Sequence, residues 1–331
     1  MKVLVTGGAG YIGSFTVKAL KEAGYEPVIF DSLETGHAEA VEGTKIYQGN
    51  LQKDLDILDE AFKKERPEAV IHFAAYIEVG ESVLNPQKYF ANNVLGSMNL
   101  LKVMLENKVS KIVFSSTAAV YGEPIKIPVE EDDPKFPTNP YGESKLIVEK
   151  ILTHYARAYK LSAVVLRYFN AAGAALDGNQ GQDYPKPTHL ITRACEAFLG
   201  KNNDFAIFGN DYATPDGTCI RDYVHVLDLA SAHLAALKSF DDRSGFRAYN
   251  VGAGKGYSVL EVINCLKKVS GIDKQIPVAP RREGDPSKLT AGTDKIRKEL
   301  GWEPKYSDLE TIIKSSWLWH KNHPDGFIDQ K

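Results

Sequence analysis

A chain of 331 residues, 43% hydrophobic and 25% charged, can form one large α/β domain or a nucleotide-binding domain with a smaller lobe. Forty Lys and Arg nearly balance forty-three Asp and Glu, and without a basic run nucleic acid and anionic membranes are excluded as main partners. Cys195, Cys219 and Cys265 form no close pair, which reads as reduced thiols in a cytoplasmic protein, with no disulfide framework and no metal site.

Short apolar runs alternate with longer amphipathic segments through the first half. Val3-Leu4-Val5 leads into a helical pattern from Ser14 to Ala23, closed by Gly24. Pro27 to Phe30 is a second strand ending at Asp31, followed by Lys45 to Gln48, a helix from Asp54 to Glu65, and the apolar Ala69 to Phe73. A helical stretch from Asn92 to Asn107 precedes strand Lys111 to Phe114, and a helix from Glu143 to Tyr159 precedes strand Ser162 to Arg167. No apolar stretch approaches the ~18 residues of a membrane span. Strands too apolar to be half exposed, alternating with helices, predict a doubly wound parallel sheet of the Rossmann type. Residues 1–170 are assigned to it, with some elements recurring later. From Ala171 to Pro187 a long loop opens, and residues 171–331 read as mainly a second, smaller mixed α/β substrate lobe.

Gly7, Gly10 and Gly13 stand between the first strand and its helix at Gly-x-x-Gly-x-x-Gly spacing. The first permits the turn, the second lets a pyrophosphate approach the backbone, and the third packs helix on strand. Asp31 lies eighteen residues after Gly13, where a carboxylate accepts from an adenosine ribose and repels a 2′-phosphate, so NAD is expected rather than NADP. Tyr141 and Lys145 are four apart at the start of a helix, on one face. A nearby ammonium favours phenolate, so the pair suits removing a proton from a carbinol. Ser115-Ser116-Thr117 ends a strand where open α/β sheets bind ligands, and Thr117 is placed to donate to a developing oxyanion. His72 and His225, in apolar runs, and Trp302, Trp317 and Trp319 read as packing residues.

His72-Phe73-Ala74-Ala75, Val79-Gly80-Glu81-Ser82, Asn92-Asn93-Val94, Val120-Tyr121-Gly122, Arg167-Tyr168-Phe169-Asn170, Ile220 to Val226 and Pro280 to Asp285, with the glycine loop and Tyr-x-x-x-Lys, give the chain its strongest likeness. Over residues 1–322 it resembles the extended short-chain dehydrogenase/reductase family, and within it the nucleotide-sugar 4-epimerases. The resemblance implies an NAD-dependent isomerase that interconverts UDP-glucose and UDP-galactose through a 4-keto intermediate, with Thr117, Tyr141 and Lys145 catalytic. It implies a cofactor site of Gly7, Gly10, Tyr11, Ile12, Gly13, Asp31, Asn50, Leu51, Phe73, Ala74, Ala75, Asn92, Ser115, Tyr141, Lys145 and Phe169. Thr117, Asn170, His189, Leu190, Ala206, Phe208, Arg221, Arg282 and Asp285 would bind the UDP-sugar. Arg221 and Arg282 suit a diphosphate, since guanidinium presents paired donors.

Some positions depart from the family pattern. Asn50 replaces an Asp that contacts adenine, Ile77 replaces a lysine at the cofactor, and Leu289 stands where side-chain bulk limits the sugar's 2-substituent. An epimerase of N-acetylhexosamines, pentoses or uronates therefore stays open, as does a non-catalytic NAD-sensing protein. A 4,6-dehydratase is disfavoured because Ala118-Ala119 follows Thr117 where those enzymes carry Asp-Glu. Apolar residues on more than one face of the segments 92–107 and 143–159 fit burial within one subunit or a homodimer; the homodimer is the expectation.

Overall fold

Valine, isoleucine and alanine dominate the first strands because both faces of the sheet they build are covered. The computed structural model describes residues 1–240, 244–282 and 285–327. Strands β1 (Lys2–Thr6), β2 (Glu26–Asp31), β3 (Ile46–Gln48), β4 (Ala69–His72), β5 (Lys111–Thr117) and β6 (Ser162–Tyr168) join strand Gly245–Val251 in a seven-stranded sheet. Its order is Gly245–Val251, β6, β5, β4, β1, β2, β3, all parallel. This is the doubly wound Rossmann arrangement, whose crevice opens at the carboxyl ends of the strands where the order reverses. The sheet draws on both sides of residue 170, because Gly245–Val251 extends it beside β6.

One face is covered by helices Tyr11–Glu22 and Val226–Lys238, whose Val17, Leu20, Leu229 and Leu237 pack on Val3, Ile71, Val113 and Val164. The other face takes Leu55–Glu65, Gly96–Glu106 and Pro140–Tyr159, which bury Leu58, Phe62, Leu100, Met104, Val148 and Leu152 against Phe30, Val70 and Val165. The helix expected over Asn92 to Asn107 begins as a π-helical turn, Phe90–Leu95. The helix expected from Glu143 starts earlier: Asn139 caps it by accepting from the Gly142 amide at 2.9 Å, and Pro140 occupies its first position.

The smaller lobe gathers around strand Ile220–His225, which pairs in parallel with Asn170–Ala172 and Lys288–Leu289 and antiparallel with Gly256–Ser258. Helices Leu190–Phe198, Val259–Ser270 and Leu309–Asn322 enclose its core with Phe198, Leu266, Ile313 and Trp317. His72 and His225 are buried as expected: His72 bonds Thr6 at 2.6 Å and Ser97 at 2.8 Å, and His225 bonds Ser315 at 3.1 Å. Trp302, Trp317 and Trp319 are also buried.

Beneath the strand ends lies an ion pair with both side chains 3% exposed. Arg167 of β6 meets Glu149 of helix Pro140–Tyr159 at 2.6 Å. Glu149 also accepts from the Ser116 hydroxyl at 2.6 Å, and Arg167 donates to the Tyr121 hydroxyl at 2.9 Å and the Glu131 carbonyl at 3.0 Å. Removing one partner leaves the other charge stranded in a low-dielectric interior. Arg167→Met is expected to cost about 3–5 kcal/mol in urea unfolding, and combining it with Glu149→Leu should recover most of the loss.

Candidate active site

The carboxyl ends of β1, β2, β4, β5 and β6 converge with the smaller lobe on one cleft of about 1670 Å³. At one end the glycine loop turns from β1 into helix Tyr11–Glu22. Gly7 has φ +71°, and a Cβ there would sit 2.6 Å from the Ala74 amide nitrogen. A Cβ on Gly13 would lie 2.2 Å from the Gly7 carbonyl oxygen, so the helix reaches the strand only without a side chain. Gly10 provides no side-chain cap and the first turn holds no acidic residue, leaving the first-turn amides to a bound anion. Asp31 is buried at the end of β2, its carboxylate accepting from the Ala9 and Leu33 amides, each at 2.9 Å. Burial pushes its pKa up, while these backbone hydrogen bonds pull it down. Oxygens held in this way keep lone pairs for ribose hydroxyls. A dinucleotide cofactor fits the loop, the open helix end and the carboxylate together.

Tyr11, Ile12, Asn50, Leu51, Phe73, Ala74, Ala75, Asn92 and Phe169 line the same cleft. Asn50 accepts from the Gln52 amide at 2.8 Å through its side-chain oxygen, which leaves a second lone pair and the NH₂ group to face a ligand. Ile77 also lines the cleft, an apolar surface where the family pattern has a cation.

At the cleft's centre, Thr117 ends β5 and caps the following turn, accepting from the Ala119 amide at 3.1 Å. The Thr117 hydroxyl neighbours the Tyr141 phenol and acts on its titration. Burial pushes Tyr141 up to about 12; the Thr117 hydroxyl lowers it and the Glu78 carboxylate raises it. Lys145 lies behind the wall rather than in the cleft, donating to the Ser115 carbonyl at 2.9 Å over the Phe114 ring. Burial lowers the lysine to about 7, with Glu149 acting in the opposite sense. Among the described residues no hydrogen bond joins Lys145 to Tyr141. Ser115 is likewise behind the wall, its hydroxyl 2.8 Å from His233 Nε2.

At the far end, Asn170, His189, Leu190, Ala206, Phe208, Arg221, Arg282, Asp285 and Leu289 line the cleft. Arg221 pairs with Asp285, and the Arg282 guanidinium lies 4.1 Å above the Phe208 ring. Asp285 therefore first serves as the counter-ion that aims Arg221. Asn170 donates to the Asp222 carbonyl at 2.9 Å, and His189 stacks on Tyr184 and bonds Gln182 at 3.2 Å.

A family model described as the NAD dependent epimerase/dehydratase family matches residues 3–252. The chain belongs to this family. It is 51% identical over 99% of its length to a UDP-glucose 4-epimerase of Halalkalibacterium halodurans, covering 98% of that protein. A crystal structure of a UDP-glucose 4-epimerase superposes with a TM-score of 0.96 at 45% identity, over 99% of this chain and 100% of that one. That of the Bifidobacterium longum enzyme in complex with NAD+ and UDP gives 0.93 at 38% identity, over 99% and 100%. As a member of the NAD dependent epimerase/dehydratase family, the chain uses NAD.

Several cleft residues escape the sequence reading: Tyr76, Glu78, Tyr168, Gln182, Tyr184, Thr188 and Tyr223. Most lie on irregular segments where no period marks a direction. Asn93 did carry a signal, as part of the Asn92-Asn93-Val94 run. It donates to Ser144 Oγ and the Tyr76 carbonyl, each at 3.0 Å, and Ser144 in turn donates to the Tyr141 carbonyl at 2.7 Å.

Gly13→Ala is expected to separate helix from loop. NAD released from the purified variant, measured by absorbance, should fall at least about tenfold, with about 1–3 kcal/mol lost in denaturant unfolding.

Proposed function

We propose that this chain interconverts UDP-glucose and UDP-galactose, and that Thr117, Tyr141 and Lys145 are its catalytic residues. The observation that carries this reading is a proton-transfer pair in the middle of one continuous cleft. Tyr141 and Thr117 line the same cleft as the glycine loop and the two arginines, and the Thr117 hydroxyl is near enough to act on the phenol. When bound, NAD accepts the hydrogen of sugar carbon 4 as hydride and returns it to either face. Gly7, Gly10, Tyr11, Ile12, Gly13 and Asp31 hold it, with Asn50, Leu51, Phe73, Ala74, Ala75, Asn92 and Phe169 along its length.

The chain's own work is to move one proton and to grip the nucleotide without gripping the hexose. Tyr141 takes the proton of the 4-hydroxyl at its phenol oxygen, and Thr117 donates to the same region as charge develops. Lys145 bonds the Ser115 carbonyl, so its cation is set one layer behind the phenol and favours phenolate from there. Arg221 and Arg282 hold the diphosphate, with Phe208, Ala206, Asn170, His189 and Leu190 around the rest of the nucleotide and Asp285 keeping Arg221 aimed. Anchoring at that end leaves the ketone free to turn.

The three cysteines are free thiols, which suits a reducing compartment, and we place the enzyme in the cytoplasm. Its assembly is read as a homodimer. Leu95 and Met98 are exposed beside the helix Pro140–Tyr159, on which Ile147, Ile151 and Tyr155 are only half buried. Light scattering should give twice 36.5 kDa, falling to the single-chain mass in Met98→Glu/Ile151→Glu.

Incubation of the purified protein with UDP-galactose, without added cofactor, should yield UDP-glucose on chromatography. No product even after NAD is supplied would overturn the assignment. Tyr141→Phe should retain bound NAD and lose at least about 100-fold in kcat.

A further inference from the structure

Glu78 stands in the loop after β4, ahead of helix Val79–Leu84, and lines the sugar end of the cleft. Its carboxylate does not cap the helix. Among the described residues no lysine or arginine pairs with it; Lys186 lines the same cleft without reaching it. Its hydrogen-bond partner is the Thr188 hydroxyl, which crosses from the smaller lobe to donate to Glu78 Oε2 at 2.5 Å. Held there, the carboxylate acts electrostatically on Tyr141, Tyr184 and His189. Those three side chains line the same cleft.

Proton transfer does not explain this charge. A carboxylate near Tyr141 raises the phenol's pKa and so opposes phenolate. Helix capping and ion pairing do not explain it either. The Thr188 hydroxyl ties the carboxylate to the smaller lobe, a bond a neutral amide could also accept, which leaves the charge to act on whatever enters. The cleft is polarised: Arg221 and Arg282 line one part of it, and a carboxylate without a cation lines the part near Tyr141.

We propose that Glu78 is a specificity-determining residue that restricts the reaction to sugars uncharged at carbon 6, repelling the carboxylate of a UDP-hexuronate. The proposal rests on the reading of this cleft as a UDP-sugar site. Epimerisation sharpens the discrimination, because the ring presents both faces in turn and its carbon-6 substituent sweeps the chamber. Two like charges in a partly dewatered cleft repel more strongly than in bulk water.

The test compares inhibition of UDP-galactose turnover by UDP-glucuronate in wild type, Glu78→Gln, Glu78→Asp and Thr188→Val, each as the ratio of that KI to the KM for UDP-galactose. Glu78→Gln should lower the ratio at least about tenfold, because it removes charge and little else. Glu78→Asp and Thr188→Val keep the charge and should stay near wild type. A Gln variant that still turns over UDP-galactose with a ratio within twofold of wild type would overturn the proposal. If wild type itself shows no turnover, the functional reading fails. Calorimetric binding of UDP-glucuronate against UDP-glucose then still decides the role of Glu78: a preference that Glu78→Gln leaves unchanged rejects it.

Discussion

The buried pairing of Arg167 with Glu149 is the contact on which the rest of the site depends. A charge pair nearly out of reach of water persists only when its remaining donors and acceptors are also used. Here they recruit Ser116 from the end of β5, Tyr121 from the next turn and the Glu131 backbone. The network then extends through Tyr121 to Asn250 on the seventh strand at 2.6 Å, and from Asn250 to the Val129 carbonyl at 2.9 Å. Five separated pieces of chain are thereby fixed against the helix that carries Tyr141 and Lys145. Glu149 lies one turn beyond Lys145, so the anchor and the chemistry share a rigid rod.

Around that anchor the interior avoids free charge. Burial lowers His72 to about 3 and His233 to about 4, so both rings are neutral near neutral pH and serve as fixed hydrogen-bond connectors. His233 accepts from Ser115, whose carbonyl receives Lys145. His72 links the end of β1 to Ser97 and so to the π-helical turn. The lysine, lowered to about 7, is the cationic group closest to the reacting centre that can change charge with its surroundings. Electrostatic control is concentrated in a few groups of different sign and depth: Lys145 behind the wall, Glu78 on it, and the arginines at the far end.

What could be read from the chain was what spacing encodes. The glycine triplet, Asp31 and Tyr141/Lys145 are local patterns tied to a strand end or a helix turn, and the fold class followed from apolar runs too continuous for a half-exposed sheet. The start of the catalytic helix was also written locally, in Asn139-Pro140, although the apolar period alone placed it at Glu143. Strand Gly245–Val251 was harder, since its first residues are half buried at the sheet's edge and carry no continuous apolar run. Glu78, Thr188 and Tyr184 were illegible for another reason. Each sits on irregular backbone, and its direction is set by a partner more than 100 residues away or by the docking of the two lobes. The resemblance located much of the wall but not these residues, since a family pattern marks shared positions and not what one chain has placed between them.

The position of the seventh strand has a consequence for how this protein is made. A ribosome delivers β1 to β6 long before residues 245–251 emerge, and until then β6, buried on both sides in the finished sheet, presents a bare apolar edge. Such an edge templates pairing with any other extended chain. The first half therefore waits with that edge uncovered. The nascent chain carries β6 as its sheet edge through about half of the smaller lobe's synthesis, until that late strand docks and the edge passes to Gly245–Val251, whose first residues are only half buried.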